Sequence, residues 1–306
     1  MANSFSLMSW LLFYEIVRKR WGLAAAKWSL LLMVTFPGSL FYQFVYSESL
    51  FFLLVLLLWL GLARESYGLA CVVAFLLPLT RAIGIFCVIP ILYHVLVIAP
   101  PDWLKRRKKW LDAMATAMPP SRSSGLQDTP PNLGTKQCGS GLLTKWAVVF
   151  APFIGWLTYL ALISHWTGNP FEGFAAQRFW GVHSVSNLWN LPKFILGWFS
   201  PSQWHEFTGS VLDRCIFLLL LYCLPVIWRL DKALIPWVYV LGILPAMSGT
   251  FTSFVRFASV VFPMFIALSV ALGARERRWF RYSLLTVFAA LHIVLVWRYV
   301  NFRWAG

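Results

Sequence analysis

Long apolar runs, separated by short polar or basic stretches, repeat along the whole chain. The runs are continuous rather than alternating, which favours helices over strands, and several approach the length that crosses about 30 Å of hydrocarbon. They predict about ten spans, at residues 5–17, 24–36, 50–63, 69–80, 82–99, 146–164, 215–228, 234–247, 254–273 and 283–298. The pattern therefore predicts an all-α protein, a polytopic transmembrane helical bundle that forms a single domain over residues 1–306.

The amino-acid composition also favours a membrane protein. Of the 306 residues, 59% are hydrophobic and only 12% are charged, with a formal net charge of +15. In a soluble protein this charge would suggest nucleic-acid binding. In a membrane protein, basic residues mark cytoplasmic loops and approach anionic lipid. We therefore expect the lipid bilayer as a partner, and no nucleic acid.

Lysine and arginine are divided unevenly between the two sets of helix ends. Of the 26 such residues, 19 fall on one set, including residues 18–20 and 105–109, and seven fall on the other. The positive-inside rule makes the first side cytoplasmic, so both termini are predicted to be exoplasmic. Residues 100–145 then form a cytoplasmic loop that is rich in Pro, Ser and Gly and predicted to be disordered.

This topology predicts the labelling of Cys138, which lies in the cytoplasmic loop. In a variant that keeps only this cysteine, an impermeant thiol reagent is expected to leave intact cells unlabelled and to label permeabilised cells. Labelling of Cys138 from outside intact cells would contradict the assigned orientation.

The second long loop, residues 165–213, is exoplasmic in this topology and contains many aromatic residues. Such residues favour the membrane–water interface. Its segment "NPFEGFAAQRFW" begins like a helix, with Asn169 as N-cap, Pro170 at the first helical position and Glu172 at the third. We expect short amphipathic helices that lie on the outer leaflet and partly cover a cavity.

A carboxylate at the mouth of an apolar run is the first candidate for chemistry. In "FPGSLFYQFVYSESLFFLL", residues 36–54, Glu48 falls in the first turn of a helix, where a negative charge is favourable. On one interpretation, Ser47 and Glu48 only cap this helix. On the other, Glu48 lines an exoplasmic cavity, where Tyr46, Ser47 and Ser49 supply hydrogen bonds.

Two arginines are predicted on the same side, Arg81 in "PLTRAIGIF" and Arg256 in "SGTFTSFVRFASVVFP". An arginine beside an apolar span is costly unless it faces a cavity or a partner, and its planar fork suits phosphate. The alternative is that both side chains snorkel to the headgroups. With Glu48, the arginines suggest a site for a lipid-linked phosphate, although spacing does not tell whether the three residues meet.

Other groups are less informative. The remaining acids assigned to the exoplasmic side are Glu172, Glu206 and Asp213. The sequence contains no CxxC pair and no Cys/His cluster, so it predicts no metal site.

Four segments together resemble the GPI mannosyltransferase II (PIG-V) family and its bacterial relatives, which are multispanning glycosyltransferases of GT-C type. The segments are "FPGSLFYQFVYSESLFFLLVLLLWLGLA", "LLPLTRAIGIFCVIP", "WTGNPFEGFAAQRFWG" and "MSGTFTSFVRFASVVFPMFIAL", and their order also agrees. The resemblance implies transfer of a hexose, expected to be mannose, from a polyprenyl- or dolichyl-phosphate carrier to an exoplasmic glycan or glycolipid acceptor, with inversion and without a cofactor.

The residues expected to bind substrate are Tyr46, Ser47, Glu48, Arg81, Asn169, Gln177, Arg178, Trp180 and Arg256. Family members place an exoplasmic loop with a catalytic Asp motif after a first helix, and this sequence begins beyond that motif. We therefore expect a truncated chain with little transfer of its own, in which Glu48 is a weak candidate for the general base.

Two alternatives remain open. One is a non-catalytic membrane protein that binds polyprenyl phosphate or a partner, and the other is a transporter of lipid-linked sugar, although no inverted repeat is evident. The expected location is a bacterial inner membrane, or the endoplasmic reticulum membrane in a eukaryote.

Overall fold

Helices account for all the regular structure in the described part of the chain. A computed structural model describes residues 2–44, 46–100, 142–175, 185–199, 211–273 and 277–303, with no strand among them. We number the helices α1 Ala2–Thr35, α2 Glu48–Ala63, α3 Tyr67–Thr80, α4 Ala82–Ile98, α5 Leu142–Thr167, α6 Leu191–Phe199, α7 Val211–Leu230, α8 Lys232–Gly249, α9 Phe254–Ala258, α10 Phe262–Ala271 and α11 Arg278–Val300. The all-α prediction is confirmed for these residues.

The first two predicted spans are the two arms of α1, which is sharply kinked at Gly22. Gly22 has φ 90° and ψ 172°, a conformation that glycine adopts without the steric cost of a side chain. In the first arm, Trp10 contacts Tyr42 and Trp21 stacks on Trp59 near the end of α2, with ring centroids 6.0 and 6.2 Å apart. The second arm leads directly to the 3-10 turn that contains Tyr42, so the arms run in opposite directions.

The predicted boundaries differ from the structure at several helices; for example, α7 starts at Val211 rather than at residue 215. The span predicted at residues 254–273 is two helices, α9 and α10, and Pro263 occupies the first turn of α10. Proline lacks an N–H and is tolerated in that turn, but it does not continue a preceding helix. In addition, α5 starts at Leu142, so the last residues of the loop predicted at 100–145 are helical.

Within the described ranges, four helices, α5, α7, α8 and α11, are long and apolar enough to cross a membrane, and α2, α3, α4 and α10 are apolar but shorter. Large apolar side chains remain exposed on α5 and α11, for example Leu157 at 64% and Ile293 at 67%. Exposed apolar surface of this kind suits a lipid bilayer. The number of spans in the membrane stays a prediction.

The core lies around α2 and α10, where most side chains are buried. The helix α2 packs against α1 and α3, and α10 packs against α1 and α7. The helix α3 also packs along α5. This arrangement fixes the starts of α2 and α9 and the end of α3 at one end of the bundle.

Ring contacts and ion pairs distinguish the two ends of the bundle. Arg20 pairs with Asp231 between α7 and α8, and Arg281, in the first turn of α11, packs over a tryptophan of the second arm of α1. In the last turn of α11, Tyr299 stacks on Phe44 with ring centroids 4.1 Å apart. We call the end with Arg20 and Arg281 the basic end, and the end with Tyr299 the site end. Which end faces the cytoplasm stays a prediction.

Candidate functional site

Glu48 is the centre of a buried charge cluster at the site end. Its side chain has no exposed area, although it lies in the first turn of α2. Oε1 accepts a hydrogen bond from Nη1 of Arg81 at 2.6 Å and a second from Nε of Arg256. Oε2 is also buried and has no hydrogen-bond partner within the described ranges. A carboxylate buried this deeply requires such charged partners.

Arg81 reaches Glu48 from the break between α3 and α4. Its backbone is extended, with φ −152° and ψ 139°, and its carbonyl accepts the N–H of Gly84 at 2.8 Å. The guanidinium carbon lies 5.0 Å from the ring centroid of Phe257 and 5.9 Å from that of Phe51. The side chain is 14% exposed. The break between α3 and α4 thus places the Arg81 guanidinium at the edge of the apolar core, where the two aromatic rings flank it.

Arg256 reaches the same oxygen atom from α9. Its guanidinium carbon lies 4.3 Å from the ring centroid of Tyr46 and 5.0 Å from that of Phe41, and its side chain is 24% exposed. Tyr46 lies outside the predicted spans, and burial raises the pKa of its phenol above the ordinary value of 10.0. Tyr46 therefore keeps its hydroxyl proton at neutral pH and is a neutral wall of the site.

The cluster carries a net positive charge, because two guanidinium groups share one carboxylate. The negative group is fully buried and the two positive groups are partly exposed. Each guanidinium has five N–H donors in a planar fork, and one of each is used on Glu48 in the hydrogen bonds described. The arrangement suits an oxyanion with several acceptor oxygens, such as a phosphate.

Both simpler interpretations of these residues are wrong. Ser47 is the N-cap of α2, but its side chain makes no capping hydrogen bond, and Glu48 turns to the arginines. Arg81 and Arg256 turn inward rather than snorkel outward, because both pair with the buried carboxylate. The ion pairs hold all three side chains inward, where the low dielectric strengthens the attraction.

Among the described residues, Asn169 is a predicted binding residue that makes no described contact with this cluster. Asn169 caps an exposed turn, as expected: its Oδ1 accepts the N–H of Phe171 at 3.0 Å and its Nδ2 donates to Glu172 at 3.1 Å. Its described partners lie within its own segment, and none of them belongs to the Glu48 cluster. The predicted residues Gln177, Arg178 and Trp180, together with Glu206, lie outside the described residues.

Asp213, which the predicted topology assigns to the exoplasmic side, lies buried, with 4% exposure. Its Oδ1 accepts the backbone N–H of Val255 at 2.6 Å, next to Arg256 in the chain. The sequence offered one signal for this role, an Asp-Arg pair in the first turn of an apolar helix. Phe41, which lies against Arg256, and Phe257, which lies against Arg81, were not predicted as site residues, because their sequence context is that of ordinary core residues.

Among the described residues, no group of His, Cys, Asp and Glu side chains is arranged to hold a metal ion. Searches with the whole chain against family models, curated proteins and solved structures found no match.

Proposed function

We propose that this protein is a membrane glycosyltransferase whose paired arginines bind the phosphate of a polyprenyl- or dolichyl-phosphate sugar. The bound sugar, expected to be mannose, passes to an acceptor hydroxyl of a glycan or glycolipid on the exoplasmic side. Its ten-span GT-C architecture belongs to the same proposal.

One observation carries the proposal: Glu48, Arg81 and Arg256 come from three separate segments and meet at a single carboxylate oxygen. The sequence positions of the two arginines are 33 and 208 residues from Glu48. Each of the three segments is one on which the resemblance to the PIG-V family rests. A cluster that is net positive, partly open and set in an apolar bundle is suited to a phosphate attached to a lipid chain.

The chemistry follows from the charges. When the bond between the sugar carbon and the phosphate oxygen breaks, negative charge develops on the departing polyprenyl phosphate. The guanidinium groups of Arg81 and Arg256 are placed to stabilise that charge without reorganisation. Glu48 holds both guanidinium groups from the buried side of the cluster. Because its carboxylate is buried, the acceptor hydroxyl does not reach it. Glu48 is therefore a positioning group, and a different group takes the acceptor proton.

The transfer is tested with membranes from cells that carry the intact gene and from a deletion strain. Both are given polyprenyl-phosphate mannose, and the release of polyprenyl phosphate is measured, because this readout does not depend on which acceptor is used. Faster release with the gene supports transfer. Donor binding without release would favour the non-catalytic alternative, and absence of donor binding would remove the proposed site.

Substitution of either arginine by lysine is expected to weaken binding of the isoprenoid-phosphate donor about tenfold, because lysine keeps the charge and loses the planar, bidentate fork. Binding is measured with purified Arg81→Lys and Arg256→Lys proteins and a photoreactive polyprenyl-phosphate analogue. Arg20→Lys at the basic end is the matched control and is expected to bind as the wild type does. Unchanged labelling in both site variants would place the phosphate elsewhere.

A further inference from the structure

The segment that precedes Arg256 has an unfavourable backbone conformation. Three residues in it, Thr250, Phe251 and Ser253, have φ values of 49°, 69° and 56°. This left-handed region is sterically costly for residues with a side chain, and such residues persist only where surrounding contacts hold them. The turn of residues 250–253 therefore needs an external clamp if it is to present Arg256 to Glu48.

Two consecutive residues of α7 provide such a clamp. The carboxylate of Asp213 accepts the N–H of Val255 at 2.6 Å, and both residues are buried. The guanidinium carbon of Arg214 lies 5.3 Å from the ring centroid of Phe251, and Nη2 of Arg214 donates to the carbonyl of Gly197 in α6 at 2.6 Å. The clamp thus joins α6 and α7 to the turn on both sides.

Aromatic side chains enclose the same turn. Phe251 is fully buried, and its ring centroid lies 4.5 Å from Phe194, 5.1 Å from Trp198 and 5.3 Å from Phe217. These contacts hold the Phe251 ring, but they do not fix the direction of the following N–H groups. The hydrogen bond from Val255 to Asp213 ties the backbone of the first turn of α9 to α7, where the ring centroids of Phe254 and Phe217 also lie 5.5 Å apart.

We infer that Asp213 is a positioning residue, which holds the strained turn so that Arg256 meets Glu48 in the geometry that binds phosphate. The expected effect on phosphate binding rests on the proposed function. The positioning of Arg256 by Asp213 can be measured without any ligand. The role requires an oxygen atom that accepts the N–H of Val255. Asparagine at position 213 is therefore expected to preserve the position of Arg256, whereas a side chain without an acceptor is expected to lose it. A general contribution to folding would not make this distinction.

The ligand-free measurement is the rate at which phenylglyoxal, an arginine-specific reagent, modifies Arg256 in the purified full chain. Asp213→Leu and Asp213→Ala are expected to raise this rate at least about fivefold, because Arg256 leaves its ion pair when the turn relaxes. Asp213→Asn is expected to stay within about twofold of the wild type, since its amide oxygen accepts the same N–H. Modification of Arg81, which keeps its own bond to Glu48, is the internal reference.

A matched control is Asp231→Leu at the basic end. Oδ1 of Asp231 also accepts a backbone N–H, that of Ala233 at 2.9 Å, and Asp231 also has an arginine partner, Arg20. Its loss is expected to leave the reactivity of Arg256 unchanged. If Asp231→Leu raised the modification rate of Arg256 as much as Asp213→Leu does, the inference would be overturned, because the effect would then reflect general destabilisation of the fold.

The second measurement is the affinity for farnesyl phosphate, with farnesol as the uncharged reference. Asp213→Leu is expected to weaken binding at least about fivefold in the wild-type background and to have no further effect in Arg256→Gln, because both changes remove the same interaction. Equal effects in the two backgrounds would overturn the inference, as would loss of the folded protein in both Asp213→Leu and Asp213→Ala. If the wild type binds no farnesyl phosphate, the proposed function fails, and the phenylglyoxal rates alone decide the positioning role.

Discussion

Glu48→Gln is expected to lower the free energy of unfolding by about 3 kcal/mol and to slow sugar transfer by about tenfold to a hundredfold. Glutamine keeps the shape of the side chain but removes the negative charge, so two guanidinium groups face each other without compensation. We take the lower end of the range for a broken buried ion pair, because both arginines retain some exposure to solvent. The slower transfer follows from the loss of fixed guanidinium positions.

The measurements for this variant are thermal unfolding in detergent and, in membranes of cells that carry the intact gene with this change, the release of polyprenyl phosphate from polyprenyl-phosphate mannose. The control is Glu15→Gln, because Glu15 also pairs with two basic residues, Arg18 and Lys19, but lies exposed on α1. The control is expected to unfold and react as the wild type does. A Glu48→Gln protein that is as stable as the wild type but shows no transfer at all would instead identify Glu48 as the general base.

Gly38→Ala is expected to destabilise the protein by about 3 kcal/mol and to weaken donor binding at least about tenfold. A Cβ at position 38 would lie 2.0 Å from the carbonyl oxygen of Val255, a separation at which the backbone has to move. Val255 also donates its N–H to Asp213 and directly precedes Arg256. The substitution therefore pushes the 3-10 turn, which lies in the same sequence segment as Glu48, away from the segment that carries Arg256.

The matched control for this change is Gly68→Ala in α3. A Cβ there meets nothing within 4 Å, and alanine is the better helix former, so the stability is expected to stay the same or to rise slightly. Unfolding temperature and binding of a photoreactive polyprenyl-phosphate analogue are measured for both variants. Wild-type binding by Gly38→Ala would contradict the assigned contact between the 3-10 turn and α9.

The candidate site was predictable in its chemistry but not in its geometry. A carboxylate and two arginines beside apolar spans are rare enough to identify from the sequence, because unpaired charges there are costly. Their meeting was not predictable, since Glu48 and Arg256 are brought together by the packing of α2, α9 and the 3-10 turn rather than by local spacing. Asn169 illustrates the converse: its local capping role was predicted, but none of its described contacts is with the Glu48 cluster.

The role of Asp213 required the structure for a different reason. The adjacent Arg214 marks a charged pair in an apolar helix but does not identify the partner of Asp213, because that partner is a backbone N–H, which every residue except proline possesses. The left-handed turn was equally hidden, because Thr250, Phe251 and Ser253 are not residues that favour positive φ. Tertiary contacts from α6 and α7 impose this conformation against local preference.

The sequence by itself determined the helical class and the apolar character of the helices, because hydrophobic runs and their polar interruptions act over a few turns of chain. It also determined which polar residues were candidates for chemistry. Only the tertiary structure decided the opposite directions of the two arms of α1, the division of residues 254–273 into two helices, and the convergence on Glu48. These features depend on contacts between segments that are distant in sequence, and no local pattern encodes such contacts.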